Sequence, residues 1–569
     1  MKNEFELTEY RIEKKTLHLK VQGFFEQKER TGKVRVTAIF DGDSQNRRFP
    51  LKTETVQLKD GLCFYGEAEI SLPDLFYRFE GETEVWLSFE AWNSGRGLQK
   101  LSGTEPLSAA LFKKEERKRS CGFFLYSLLL KGIGICLLPF FLLDGYFAWK
   151  GYKPLDTGEN EAAGKKAVLL HANLRTKNFC GLSYSMRELK TAYLRYCYQQ
   201  YKKKPVRENQ VLFLSERLLE EHSNLALIRA ELAKQEALEL SEFICVKPVN
   251  KLSLSRLRES AKKIAQARMI ILEDFYPQLH SLDLRKETQV VQLWHACGAF
   301  KTFGFSRLGK PGGAKQASLN HRSYDIALVS GSKMEPIYSE AFGIPLDHVK
   351  ALGVPRTDCF FEPGYQERIT KQLKQKYSWL SGKRVILFAP TFRGAGNKTA
   401  FYPAERLDWK EMLKGLPEDC VVIVKQHPFV KNKVSFDACE KERIFDLTGE
   451  DHINDLLFIA DVLITDYSSS VFEASLLGVP MIFYAFDKEE YLRERDIYYD
   501  FEQFAPGKIV ESQGELLSEL CRLLEHGENG CSAKITWFWE EFMDALDGNC
   551  TKRIAEYLLS QLEKRRIKP

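Results

Sequence analysis

None of the 13 cysteines stands in a CxxC pair or at a regular spacing. That excludes a disulfide framework or a cysteine zinc site as the organising device, and fits reduced, small apolar side chains in a cytoplasmic setting. Charge of one sign is also scarce: 83 Lys and Arg stand against 78 Asp and Glu, a formal net charge of +5 over 569 residues. So small an excess gives no case for nucleic-acid binding and suits anionic substrates or a lipid surface only weakly. No secretory signal is expected, because "MKNEFELTEYRIEKK" is charged throughout and has no apolar centre. The longest apolar stretch, residues 121–149, is interrupted: it reaches the ~20 residues a spanning helix needs only by including Lys131, Gly132, Gly134 and Pro139. There is no GxxxxGK[ST] loop and no HExxH, and the strand ends discussed below carry no DxD-like acidic cluster. No cofactor and no metal are therefore expected. Cationic side chains and helix dipoles must neutralise any phosphate.

What the chain does have is material for cores, with 44% hydrophobic residues, 39 Phe and 23 Tyr. Its length exceeds the roughly 250–300 residues that one core supports, so several domains are expected. Residues 1–110 show "TLHLKVQGFF", "KVRVTAIFDGD", "LCFYGEAEISL" and "TEVWLSFEAW", β-branched and aromatic runs between turn signals. They predict a small all-β domain, a sandwich, with no catalytic constellation and the part of a docking or spacer module. Residues 111–160 combine basic flanks (Lys113, Lys114, Arg117, Lys118 and Arg119 before, Lys150 and Lys153 after) with the interrupted apolar stretch. This reads as a membrane-associating segment lying in one leaflet, Lys131 reaching the headgroups, or else as a helix buried on the β domain.

From there the pattern is strand and helix in alternation. "KAVLLHANL", "QVLFL", "MIILED" and "VVQLW" fall in 161–360, and "RVILFAP", "CVVIVKQ", "VLITDYS" and "PMIFYAF" in 361–530, before the helices expected at 531–569. The expected fold is α/β, two Rossmann-like domains facing across a cleft. In open parallel sheets ligands bind beyond the carboxyl ends of the strands. Four strand ends carry polar residues: His295 after "VVQLW"; Thr391 and Arg393 in "TFRG"; Lys425 and His427 in "KQHP"; Asp466, Ser468 and Ser469 in "DYSSS". "SSSVFEASLLGVP" predicts a serine-capped helix with Glu473 in its first turn and a stop at Gly478. Its free N–H groups suit a phosphate, and Glu473, which repels one, suits a ribose hydroxyl. The two histidines, one per domain, suit a base and an electrostatic clamp for phosphoryl transfer. Lys301, Arg307 and Lys310, downstream of His295, suit an anionic acceptor.

The ordered motifs "QLWHACGAFKTFGFSRLGKPGG", "SLNHRSYD", "ALGVPRTD", "ILFAPTFRG", "KQHPFVKN" and "DHINDLLFIADVLITDYSSSVFEASLLGVPMIFYAFD" resemble the teichoic-acid polyol-phosphate transferases, the CDP-glycerol/CDP-ribitol phosphotransferase family. The likeness covers roughly residues 165–530, and the form of the Trp-His motif is similar to the ribitol-phosphate polymerase branch. It implies a GT-B-like fold with the donor on the carboxyl-terminal half. It also implies His295 as the base toward the acceptor hydroxyl, His427, Ser468, Ser469 and Arg393 on the donor phosphates, and Glu473 on the cytidine ribose. The implied reaction passes ribitol phosphate from CDP-ribitol to a lipid-linked chain end and releases CMP, at the cytoplasmic face of the membrane, with homo-oligomers left open. Rival readings are transfer of glycerol phosphate from CDP-glycerol, a sugar-nucleotide glycosyltransferase or epimerase on the same fold, and a nucleotide-binding membrane scaffold without turnover.

Overall fold

A computed structural model describes, with short gaps, residues 3–108 and 178–566. The apolar stretch 121–149, the strand expected at "KAVLLHANL" and Lys310 lie outside the described residues. Among those described, no helix is long and apolar enough to cross a membrane.

The first strands are β1 (Asn3–Glu13), β2 (Thr16–Glu26), β3 (Val34–Asp41), β4 (Asn46–Pro50), β5 (Lys52–Gln57), β6 (Gly61–Ser71), β7 (Glu84–Asn93), β8 (Gly97–Leu101) and β9 (Pro106–Ser108). They form two antiparallel sheets, β1-β2-β6-β5 and β4-β3-β7-β8, with β9 also on β7. Side chains of a strand alternate between faces, so Leu17, Leu19 and Val21 of β2 meet Phe64 of β6, Val36 and Phe40 of β3 and Phe89 of β7 in one core. The expected sandwich is present.

A short antiparallel pair, β10 (Asn178–Phe179) and β11 (Leu182–Ser183), precedes two parallel sheets. The first has the order β13-β12-β14-β15-β16-β17, built from β12 (Arg207–Ser215), β13 (Glu239–Ile244), β14 (Ala267–Leu272), β15 (Gln289–Gln292), β16 (Ile326–Val329) and β17 (Val349–Ala351). The second has the order β20-β19-β18-β21-β22-β23, from β18 (Arg384–Phe388), β19 (Cys420–Val424), β20 (Ile444–Asp446), β21 (Val462–Thr465), β22 (Met481–Tyr484) and β23 (Lys508–Val510). Every residue of β14, β15, β19, β21 and β22 is buried; β19 and β22 accordingly read as unbroken apolar runs, whereas Arg268 interrupts β14, Gln289 and Gln292 flank the two valines of β15, and Thr465 closes β21. The strands the runs do not announce are mostly sheet edges (β1, β4, β5, β8, β13, β17, β20 and β23), where one flank is open and polar residues intrude. β16 is the exception, an inner strand of four residues.

The two sheets belong to lobes that touch. Lys301 forms an antiparallel bridge with Ile497, the Tyr498 N–H donates to the Phe300 carbonyl at 3.1 Å, and Phe300 stacks on Phe504 at 4.6 Å. At Gly298 a Cβ would come within 2.3 Å of the Phe472 ring, so glycine is what permits this approach. The final helix, Cys550–Arg566, returns to the first lobe and buries Ile554 and Leu558 against the helix Asn224–Leu232. Asp358 caps it, accepting the Cys550 and Thr551 N–H groups at 2.9 and 2.8 Å.

Candidate active site

In the first sheet the strand order reverses between β12 and β14, and in the second between β18 and β21. Neighbouring connections leave in opposite directions at such points, which opens a crevice at the strand ends. The described polar residues singled out in the sequence lie on the loops around these two crevices.

At the first, β14 is followed by Glu273 and Asp274, β12 by Arg217, and the adjacent β15 runs into Trp294 and His295. Trp294 has φ +56, a left-handed turn fixed by its N–H to Gln292 Oε1 (2.9 Å) and by Asn224 Nδ2, which donates to its carbonyl at 2.7 Å. His295 Nδ1 lies 3.0 Å from Asp274 Oδ1, while 47% of its side chain stays open to solvent. Arg217 Nε reaches the other oxygen of Asp274 at 3.2 Å. Burial would raise the Asp274 carboxyl, but the hydrogen bond and charge of His295 and the charge of Arg217 outweigh it and hold the group below its usual range. When the ring is neutral, the ionised Asp274 accepts the Nδ1 proton and the Nε2 lone pair is left free. The ring is thereby fixed as a proton acceptor on its exposed side.

At the second crevice Asp466, 1% exposed, accepts the Thr391 N–H at 2.7 Å and pairs with Arg393 Nη1 at 2.8 Å. Arg393 also donates from Nε and Nη2 to the two oxygens of Asp487 (2.6 and 3.0 Å) and from Nη1 to the Thr391 carbonyl (2.5 Å). Expected on a donor phosphate, Arg393 instead has its guanidinium spent inside the lobe, 8% exposed among the rings of Tyr467, Phe486 and Tyr491. Lys425 is likewise diverted: its ammonium donates to the carbonyls of Leu447, Thr448 and Asp451 at 2.9, 3.3 and 2.5 Å. Both cations hold loops that shape the crevice. A buried cation without such acceptors would be costly, which explains the diversion.

The serine-headed helix is Ser470–Leu476. Ser469 occupies the cap position but has a helical backbone (φ −74, ψ −9) and accepts nothing from the helix with its side chain. The hydroxyl that turns back is that of Ser468, accepting the Ser470 N–H at 3.3 Å, and Ser469 is exposed. Glu473 lies inward, 5% exposed, in an ion pair with Arg356 of the first lobe. The same arginine donates from Nε to the His295 carbonyl at 3.3 Å and from its backbone N–H to Asn224 Oδ1 at 2.8 Å. One side chain thus ties the helix of the second lobe to the turn carrying His295.

His427 is built differently from His295. Its Nδ1 accepts the Phe429 N–H at 3.1 Å, so the neutral ring carries its proton on Nε2, and Phe392 and Phe429 flank it with centroids at 4.8 and 4.6 Å. Burial, with the charges of Lys301 and Arg217, pushes its pKa down. The influence of Arg217, which touches Asp274, relates the two crevices to each other. Lys301, expected to serve an acceptor, sits on the second-lobe side, Nζ 3.4 Å from Thr391 Oγ1. Its pKa is pushed down to about 8 by burial and the charges of Arg495 and Arg393, against the pull of Asp466. Arg307 donates to the Arg495 carbonyl at 3.0 Å, and Arg495 in turn to the Gly394 carbonyl. Lys301 thus lies at Thr391, Arg495 at Gly394 three positions on, and Arg307 behind Arg495. Among the described residues no cluster of three His, Cys, Asp or Glu could hold a metal ion.

Sequence reading alone misses Arg217, Asp274, Arg356, Asp487 and Arg495. Asp274 ends the run "MIILED" and Arg356 lies in "ALGVPRTD", but their partners are far away in the chain: Arg356 and Glu473 are 117 positions apart.

Comparison with known proteins agrees with this architecture. The teichoic acid poly(ribitol-phosphate) polymerase of Bacillus spizizenii is 37% identical over 380 residues, 67% of this chain and 61% of that protein. The ribitol-phosphate polymerase TarL of Staphylococcus aureus is 39% identical over 357 residues, 62% of each chain. The chain therefore spans 61% and 62% of the length of these two relatives. A solved structure of the wall teichoic acid polymerase TagF superposes with a TM-score of 0.54 at 18% identity, over 72% of this chain and all (100%) of that one, and shows the shared GT-B-like α/β fold. The family model described as CDP-glycerol:poly(glycerophosphate) glycerophosphotransferase matches residues 196–560, and the chain belongs to that family.

Proposed function

We propose that this protein transfers ribitol phosphate from CDP-ribitol to the hydroxyl end of a lipid-linked teichoic-acid chain, releasing CMP. The observation that carries the chemistry is the His295–Asp274 pair: a half-exposed imidazole whose inner nitrogen is held by an ionised carboxylate at 3.0 Å. His295 Nε2 takes the proton of the acceptor hydroxyl as its oxygen attacks the phosphorus bearing ribitol. The bond from that phosphorus to the bridging oxygen breaks in line, and its electrons leave with CMP. His427 donates its Nε2 proton in a hydrogen bond to the diphosphate, with Ser468, Ser469, Lys301 and Arg307 around it. Thr391, Arg393, Lys425 and Asp466 serve the donor by holding the loops that present these groups. Glu473 reaches the cytidine ribose when it exchanges Arg356 for the nucleoside. Catalysis is then alignment and charge stabilisation, without covalent intermediates.

The reading extends to the whole chain. The acceptor binds on the lobe of residues 161–360, with Lys310 on its path, and the donor on 361–530, closed by 531–569. The segment 111–160 lies on the cytoplasmic face of the membrane, where the lipid-linked acceptor is found. What favours ribitol over glycerol is the identity to ribitol-phosphate polymerases. The test is release of CMP from CDP-ribitol and CDP-glycerol, and of UDP from UDP-sugars, each donor in turn with a defined lipid-linked acceptor. Release from CDP-ribitol alone is expected. Release from CDP-glycerol alone reverses the polyol assignment, and nucleotide binding without any release leaves a scaffold.

A further inference from the structure

The amino-terminal sandwich meets both lobes at one place. Arg35 of β3 is mostly buried: its Nη1 donates to the Ser306 carbonyl at 2.8 Å and lies 3.2 Å from Glu340 Oε1, both on the first lobe. Its Nη2 lies 3.5 Å from Asp496 Oδ2 of the second lobe, and the ring of Tyr498 sits 4.9 Å beneath the guanidinium. Trp92 of β7 meets Tyr498 and Tyr499 edge-on at 6.4 and 6.1 Å. A spacer domain has no need of a desolvated arginine shared between two other domains, since leaving such a charge without acceptors is costly.

The far side of that contact is the donor crevice. Asp496 has φ +54, and its carbonyl accepts the Thr302 N–H at 3.2 Å. Next to it, Ile497 bridges Lys301, whose ammonium lies at Thr391, and the Arg495 carbonyl accepts from Arg307. We propose that the sandwich is an interlobe staple and that Arg35 is its positioning residue. Arg35 holds the segment 495–499 against the loop 300–307, which keeps Lys301 and Arg495 turned toward the diphosphate of the donor. The kinetic consequence rests on the transferase reading; the staple itself does not.

The test uses the full chain with Arg35→Ala and Arg35→Lys. The expected result for Arg35→Ala is a KM for CDP-ribitol raised about fivefold or more with kcat changed less than about twofold, partly restored by lysine, which keeps the charge but not the fork. Hydrogen exchange without substrate should quicken in 300–307 and 491–504. If Arg35→Ala does not fold, Asp496→Asn removes the second-lobe anchor alone and tolerates the same backbone, with the same readouts. An unchanged KM, or exchange that quickens only within the sandwich, overturns the staple. Wild-type protein that releases no CMP from any CDP-polyol overturns the transferase reading instead, and the exchange arm still decides the staple.

Discussion

The two crevices each present one histidine at the end of a buried strand, yet they prepare the ring for opposite tasks. His295 gives its inner nitrogen to a carboxylate and keeps 47% of its side chain open. His427 gives its inner nitrogen to a backbone N–H, is flanked by two phenylalanines, and has the cations Lys301 and Arg217 near it. The partner of Nδ1 decides which proton state the outer nitrogen offers: an acceptor beside Asp274, a donor beside Phe429. Identical side chains at the ends of buried parallel strands thus become a base and an anion-binding donor through the hydrogen bond behind them.

The contrast is broken most severely at His295. His295→Ala should lower kcat by about 10²–10⁴-fold while leaving CDP-ribitol affinity, measured by calorimetry, near wild type. His427→Ala should do the reverse in kind, weakening donor affinity by the about 1.5–3 kcal/mol typical of a hydrogen bond to a charged group. If both variants lose affinity equally, the division of labour is wrong. Asp274→Asn sharpens the point, because the amide can hold the other tautomer and place the proton on Nε2. A loss in kcat smaller than that of His295→Ala but of at least about tenfold is expected, with donor affinity kept. Wild-type turnover by this variant removes the carboxylate from the account.

The smallest effect is one of pH. Lys301, pushed down to about 8, must be charged to attract the diphosphate, so the KM for the donor should be flat below that pH and rise above it, with bound donor moving the midpoint upward. Lys301→Arg should flatten the profile. Unfolding does not mimic this: the folded pKa lies below the ordinary value of 10.5, so the charged group costs the fold stability at low pH, and that cost is relieved as pH rises from about 8 toward 10.5. A donor KM independent of pH between 7 and about 9 would exclude Lys301 from the donor site.

Much of the fold could be read without coordinates, and the reason lies in burial. The inner strands β14, β19, β21 and β22 are shielded on both faces and on both flanks, so their sequences are largely apolar, with Arg268 in β14 and Thr465 at the end of β21 as the interruptions. Edge strands such as β13, with its pattern of exposed and half-buried residues in "ELSEFI", carry no comparable signal. The site was legible as a set of chemically apt residues at strand ends, and less so as roles. Arg393 and Lys425 look from the chain like phosphate ligands. Their protons in fact go to Asp466, Asp487 and a ring of carbonyls supplied by loops 22 to 94 positions away.

By itself, then, the sequence determined the two parallel sheets, the sandwich before them and which histidines end their strands, because these follow from local runs of residues and the period of burial. Only the tertiary structure decided what each charged group does. Asp274 became the partner of His295, Arg356 the tie between Glu473 and the His295 turn, and Arg35 a link from the sandwich to both lobes. A charge buried by folding takes whichever acceptor the packing brings within about 3 Å, and that choice is made across the fold, not along the chain.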